Sequence, residues 1–133
     1  MYQRTVLIVE DEVLIRIMLA EALEDEGYRV IEAGTVLEAI ALLGQQHVDA
    51  IITDVDMPGG LTGLDLANFV HASSPGLAVV VTSGGRRLDE CGIPPNAQFM
   101  PKPYFLPRML EMLRVCLTTA RDVPPPSGEV RAA

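Results

Sequence analysis

Five polar residues of this 133-residue chain follow short apolar runs: Glu10 and Asp11 after "TVLIV", Asp54 after "DAIIT", Ser83 after "LAVVVT", and Lys102 shortly after "AQFM". Three carboxylates brought together repel, so without a cation at least one pKa must rise. A hard divalent ion relieves that repulsion, and Mg2+ typically takes one or two carboxylates, waters and a phosphate oxygen. A carboxylate beside such an ion can attack a phosphoryl group and form an acyl phosphate. The transferred group then needs its oxygens neutralised by the metal on one side and a cation on the other. Lys102 is the single lysine of the chain, all other basic residues being arginine, and prolines flank it in "MPKPYF". A compact ammonium suits the role of point charge, whereas guanidinium favours planar, bidentate pairing.

Each residue taken alone has a plainer explanation. Asp11 could cap a helix, Asp54 and Ser83 could serve turns, and Lys102 could be a solvated loop charge. The argument for a site rests on all five standing at equivalent places in the chain.

Those places are defined by an alternation of short apolar runs with segments of helical period. "TVLIV" (5–9) reads as a strand buried on both faces. From Glu12 to about Glu26, the apolar residues Ile15, Met18, Leu19, Ala22 and Leu23 form a helical stripe that Gly27 ends. A second strand, 28–33, leads to Thr35, an N-cap with Glu38 completing a capping box, and to a helix with Leu37, Ile40 and Leu43 on its apolar face. Strand 49–53 places Asp54 at its end, and "MPGGLTG" connects it to a helix carrying Leu66, Phe69 and Val70. Strands at 77–82 and, weakly, 97–100 follow. The last helix carries Leu106, Met109, Leu110, Leu113, Cys116 and Leu117, with Pro107 in its first turn. Repeated strand–helix alternation predicts an α/β fold: a doubly wound five-stranded parallel sheet with helices on both faces. In such folds ligands bind at the carboxyl ends of the strands, where the five polar residues stand.

Composition narrows the function. The length suits one domain, about residues 1–121, followed by a Pro-rich tail, 122–133, of disordered composition. A net charge of −8, with Arg86-Arg87 as the densest basic cluster, argues against direct nucleic-acid binding. No apolar run approaches the ~20 residues of a membrane span, and no secretory signal opens the chain, so a cytoplasmic location is expected. Cys91 and Cys116 lack zinc-site spacing and make no disulfide framework.

With these residues in place, the chain resembles the response-regulator receiver domain of two-component signalling over about residues 4–119. "VLIVEDE", "IITDVDMPGGLTGLDL", "VVVTSG" and "MPKPY" match the family's blocks in order and approximate spacing. The resemblance implies a flavodoxin-like receiver fold, with Asp54 as phosphoacceptor and Mg2+ bound directly by Asp11, more loosely by Glu10, and by the backbone carbonyl of Asp56. It implies that Lys102 contacts the phosphoryl group and that the Lys102–Pro103 bond is cis, a proline property. The switch hydroxyl is Thr82 or Ser83; strand alternation favours Ser83. Phe99 takes the family's switch-aromatic position, without the hydroxyl of the frequent Tyr, and core packing is its other reading.

Three departures stand out. "PGGLTG" is one residue longer than the usual loop. Only 18 residues separate Ser83 from Lys102, with Gly92, Pro94 and Pro95 among them, so a short or irregular fourth helix is expected. The chain also ends after the fifth expected helix, without an effector domain. The expected protein is a single-domain response regulator, a switch rather than a turnover enzyme, monomeric or weakly homodimeric. Its expected partners are a sensor histidine kinase or phosphotransfer protein upstream and an unidentified protein downstream, with a phosphorelay role as the variant. Two alternatives belong to other classes: a receiver-like interaction module working without phosphorylation, and a Mg2+-dependent phosphohydrolase suggested by the likeness of "DVDMP" to the Asp-x-Asp motif of haloacid-dehalogenase-like enzymes. Position and size oppose the latter, because that motif normally follows the first strand and a cap domain would need more chain.

Overall fold

The computed structural model describes residues 3–84 and 93–121. In chain order they form β1 (Thr5–Val9), α1 (Val13–Asp25), β2 (Arg29–Ala33), α2 (Val36–Leu43), β3 (Ala50–Asp54), α3 (Gly63–Ser73), β4 (Ala78–Ser83), β5 (Ala97–Pro101) and α4 (Leu106–Arg121). The strands make one parallel sheet in the order β2-β1-β3-β4-β5. Every residue of β1, β3 and β4 is buried, as continuous apolar runs require, whereas the edge strands β2 and β5 keep exposed positions.

Strand alternation divides the interior into two cores. Leu7, Val9, Ile51, Val79 and Val81 face α2 and α3, meeting Val36, Ala39, Leu66 and Val70. Val6, Ile8, Ile52 and Val80 face α1 and α4, meeting Leu19, Leu23, Met109 and Leu113. The last helix is thus the fourth among the described residues. The short or irregular helix expected before β5 falls mainly on 85–92, outside the described residues, as do Arg86-Arg87, Cys91 and the tail. Residues 93–96 contain no helix.

The helix ends follow local chemistry. Gly27 takes φ +96°, the left-handed conformation that closes α1. Thr35 Oγ1 accepts the Glu38 N–H at 3.1 Å, but the Glu38 carboxylate answers to the Gly34 N–H (2.8 Å), one residue earlier than a capping box would place it. A full capping box stands instead at α3, between Thr62 and Asp65. Gly59 and Gly60, in the loop after β3, both adopt positive φ (+92° and +89°), a conformation open to glycine without steric cost.

Candidate functional site

β1 and β3 are adjacent in the sheet, so their C-terminal ends bring Glu10 and Asp54 together. Both are buried, at 5% and 8% exposure, whereas Asp11 is exposed. One carboxylate oxygen from each of Glu10, Asp11 and Asp54 lies within 4.8 Å of the others. Such an all-oxygen, carboxylate-rich set fits a hard divalent cation such as Mg2+. The plainer role considered for Asp11 is not realised, because Glu12 occupies the N-cap position of α1 and its side chain makes no capping bond.

β5 delivers Lys102 to the same point. Its backbone N–H donates to the Ser83 carbonyl (3.0 Å), extending the β4–β5 pairing, and the Lys102–Pro103 bond is cis. The ammonium nitrogen stands 3.4 Å from Glu10 Oε1 and 3.4 Å from Asp54 Oδ2. An isolated ion pair would lower the pKa of its acid, yet both acids here are raised. Burial is the largest cause for each, and one ammonium shared between two carboxylates does not offset it. For Lys102 burial pulls downward, but Glu10 and Asp54 together outweigh it and the net shift is upward. Burial also raises the Tyr104 hydroxyl beside this group. The site therefore carries more buried negative charge than its one cation balances, which suits it to bind a second cation.

Register separates the two candidate hydroxyls. Thr82 pairs with Asp54 across β3–β4, while Ser83, one residue further along, pairs with Pro101 of β5. Both are buried at 2% exposure. By strand alternation Ser83 shares the face of Val79 and Val81, and half-buried Phe99 packs against that same core. Thr82 falls on the opposite face. Asp56 is exposed just beyond β3.

Two contributors were not evident from spacing. Arg16 of α1 donates from Nη1 to the Glu10 backbone carbonyl at 2.8 Å and from Nε to Glu32 Oε1 at 3.1 Å. Gly63 opens α3 directly against the phosphoacceptor candidate: a Cβ there would lie 2.8 Å from the Asp54 carbonyl carbon and 2.9 Å from Thr53 Oγ1. The one available signal for Gly63 was a glycine at a helix start, where it gains nothing in propensity.

Known proteins show the family and the fold. Residues 6–114 match the family model described as the response regulator receiver domain. The transcriptional regulatory protein PdtaR of Mycobacterium tuberculosis is 35% identical over 130 residues, covering 96% of this chain and 63% of that protein. Response regulator MprA of a Mycobacterium species is 30% identical over 126 residues, 92% of this chain and 54% of its own length. The chain thus spans less than two thirds of these relatives. Among solved structures, a response regulator receiver protein from Sinorhizobium medicae superposes with a TM-score of 0.83 at 21% identity, covering 89% of this chain and 97% of that one. The receiver domain of NtrX from Brucella abortus gives 0.78 at 30% identity, with 86% and 98% covered.

Proposed function

The chain belongs to the response-regulator receiver family, and on that premise we propose that it accepts a phosphoryl group on Asp54 from a histidine kinase or phosphotransfer protein. The observation that carries this reading is the meeting of Asp54, Lys102, Glu10 and Asp11 at the carboxyl ends of β1, β3 and β5, with Lys102 Nζ 3.4 Å from Asp54 Oδ2. Glu10, Asp11 and Asp54, together with the Asp56 backbone carbonyl, are the groups that would hold Mg2+. Bound there, the ion supplies positive charge against the phosphoryl oxygens.

An Asp54 carboxylate oxygen attacks phosphorus. The bond from phosphorus to the donor's histidine nitrogen breaks, its electron pair returns to the imidazole, and an aspartyl phosphate forms. Lys102, already between Glu10 and Asp54, neutralises a phosphoryl oxygen of the product. The Ser83 hydroxyl donates a hydrogen bond to another oxygen, and Phe99 on the same face responds to that displacement. Ser83 is preferred to Thr82 because it shares this face with Phe99. The output is altered binding to a downstream partner, or onward transfer of the phosphoryl group in a relay.

Intact-mass measurement after incubation with acetyl phosphate and Mg2+ tests the reading, with Asp54→Asn as control. One phosphoryl adduct on the wild type, absent from the variant and without Mg2+, is expected. An adduct that persists in Asp54→Asn would reject this nucleophile, and a wild type that never reacts would favour a module working without phosphorylation.

A further inference from the structure

Arg16 belongs to α1 but makes its bonds to neighbouring strands' ends. The Glu10 N–H donates to the Ala33 carbonyl at 3.0 Å, fixing the peptide that enters Glu10. The peptide that leaves Glu10 and carries Asp11 is outside the strand, and its carbonyl accepts from Arg16 Nη1 at 2.8 Å. The same guanidinium is held from the other side by Glu32 Oε1 of β2 at 3.1 Å. Gly34 stands beside this group: a Cβ there would meet Nη1 at 3.5 Å, an ordinary contact. One planar group thus ties the link between two acids of the carboxylate cluster to the end of β2.

We propose that Arg16 is a positioning residue for cation binding: it clamps the Glu10–Asp11 peptide against β2 and so sets where the two carboxylates point. The proposal rests on the receiver reading of the site, because it presumes that these acids hold Mg2+. Its sign distinguishes it from simple electrostatics. A guanidinium near a cation site repels the cation, so if charge alone mattered, removing it would tighten binding. If the clamp matters, removing it loosens binding. Lysine separates the two, since it keeps the charge but lacks the planar fork that serves Glu10 and Glu32 at once.

The test is calorimetric titration with Mg2+ of the full chain as wild type, Arg16→Lys, Arg16→Gln and Glu32→Gln, alongside thermal unfolding of each in chelator. Partners that orient metal ligands typically change affinity by about 10–100-fold. Both Arg16 variants should therefore bind Mg2+ ~10-fold more weakly, and Glu32→Gln should fall between them and the wild type. The rate of reaction with acetyl phosphate should recover in Arg16→Lys at saturating Mg2+, since the clamp acts on binding. A purely structural role would lower the unfolding temperature in chelator and leave the affinity of the folded variants alone. Arg16→Lys at wild-type affinity, or Arg16→Gln binding more tightly, overturns the proposal. Should Arg16→Gln fail to fold, Arg16→Lys and Glu32→Gln decide by the same criterion. A wild type that takes up no Mg2+ removes the metal site itself, and the clamp with it; wild-type binding matched by the variants removes the clamp alone.

Discussion

Replacing Gly63 with alanine should damage the fold and the proposed phosphoacceptor, Asp54, together. The new Cβ would stand 2.8 Å from the Asp54 carbonyl carbon and closer still to its oxygen. Carbon atoms in contact sit about 3.5–4.0 Å apart, so the first turn of α3 must retreat by roughly 0.7–1.2 Å. The obstacle is backbone of a buried central strand, and no rotamer change can relieve it. Retreat also stretches the bond from the Gly63 N–H to the Val55 carbonyl, now 2.9 Å. Overpacking costs about 1–3 kcal/mol and the weakened bond about 1 kcal/mol, while alanine regains roughly 1 kcal/mol of helix propensity. The net expectation is a loss of about 1–3 kcal/mol. Urea unfolding followed by far-UV circular dichroism measures it. Because the clash falls on the Asp54 peptide, phosphorylation by acetyl phosphate should slow even where the variant is fully folded. A Gly63→Ala protein within ~0.5 kcal/mol of wild type and reacting at wild-type rate would refute this account.

Lys102→Met leaves Glu10 and Asp54 facing one another without the shared ammonium. Reaction with acetyl phosphate should fall ~100-fold, and the metal-free protein should lose about 1–3 kcal/mol at neutral pH, with part of the loss recovered in mild acid; a larger loss in acid would contradict the reasoning. The pH dependence of the metal-free wild type follows from the raised pKa values of Glu10 and Asp54. Acids raised in the native state contribute stability that is complete below their unfolded values, 4.5 and 3.8, and is lost as pH rises through the native values. Measured against Asp54→Asn in chelator, the wild type should thus lose ground with rising pH, and Mg2+ should reverse the trend because it competes with protons for the same oxygens. Gly59 and Gly60 test strain without clash. A Cβ at either would meet nothing within 4 Å, yet positive φ should make each alanine variant about 1–2 kcal/mol less stable by urea unfolding.

Residues whose role is set by near neighbours were readable before the fold was known. The continuous run 5–9 is β1 to the residue, and Thr35 caps α2 as its spacing indicates. Asp54 and Lys102 were singled out because a parallel sheet collects whatever follows its strands. Other roles depend on the sheet order β2-β1-β3-β4-β5, which local pattern does not encode. Arg16 looked like an ordinary polar position of a helix, since its partner Glu32 lies 16 residues away on a neighbouring strand. Gly63 was inconspicuous because its constraint comes from Asp54 across the loop. The capping box at α3 closes with Asp65, where Glu or Gln is the usual signal. That Thr82 pairs with Asp54 while Ser83 pairs with Pro101 needed the register of β4 against both its neighbours.

The sheet also acts as a partition. Its three inner strands are buried throughout, and the cores on its two sides share no residue. Tyr104, two residues after Lys102, packs with the α1–α4 core, whereas Phe99 belongs to the α2–α3 side. A change at Asp54 that reaches Phe99 has its shortest course around the rim, through the last residues of β4 and β5, where Ser83 and Lys102 are joined by a backbone bond. Truncations in the two cores are therefore expected to act separately. Paired core truncations on opposite sides, such as Leu23→Ala with Val36→Ala, should add without coupling. A chimera that takes its α2–α3 layer from a relative, with Gly63 kept against Asp54, should keep the proposed phosphate chemistry and change only what the rim delivers to.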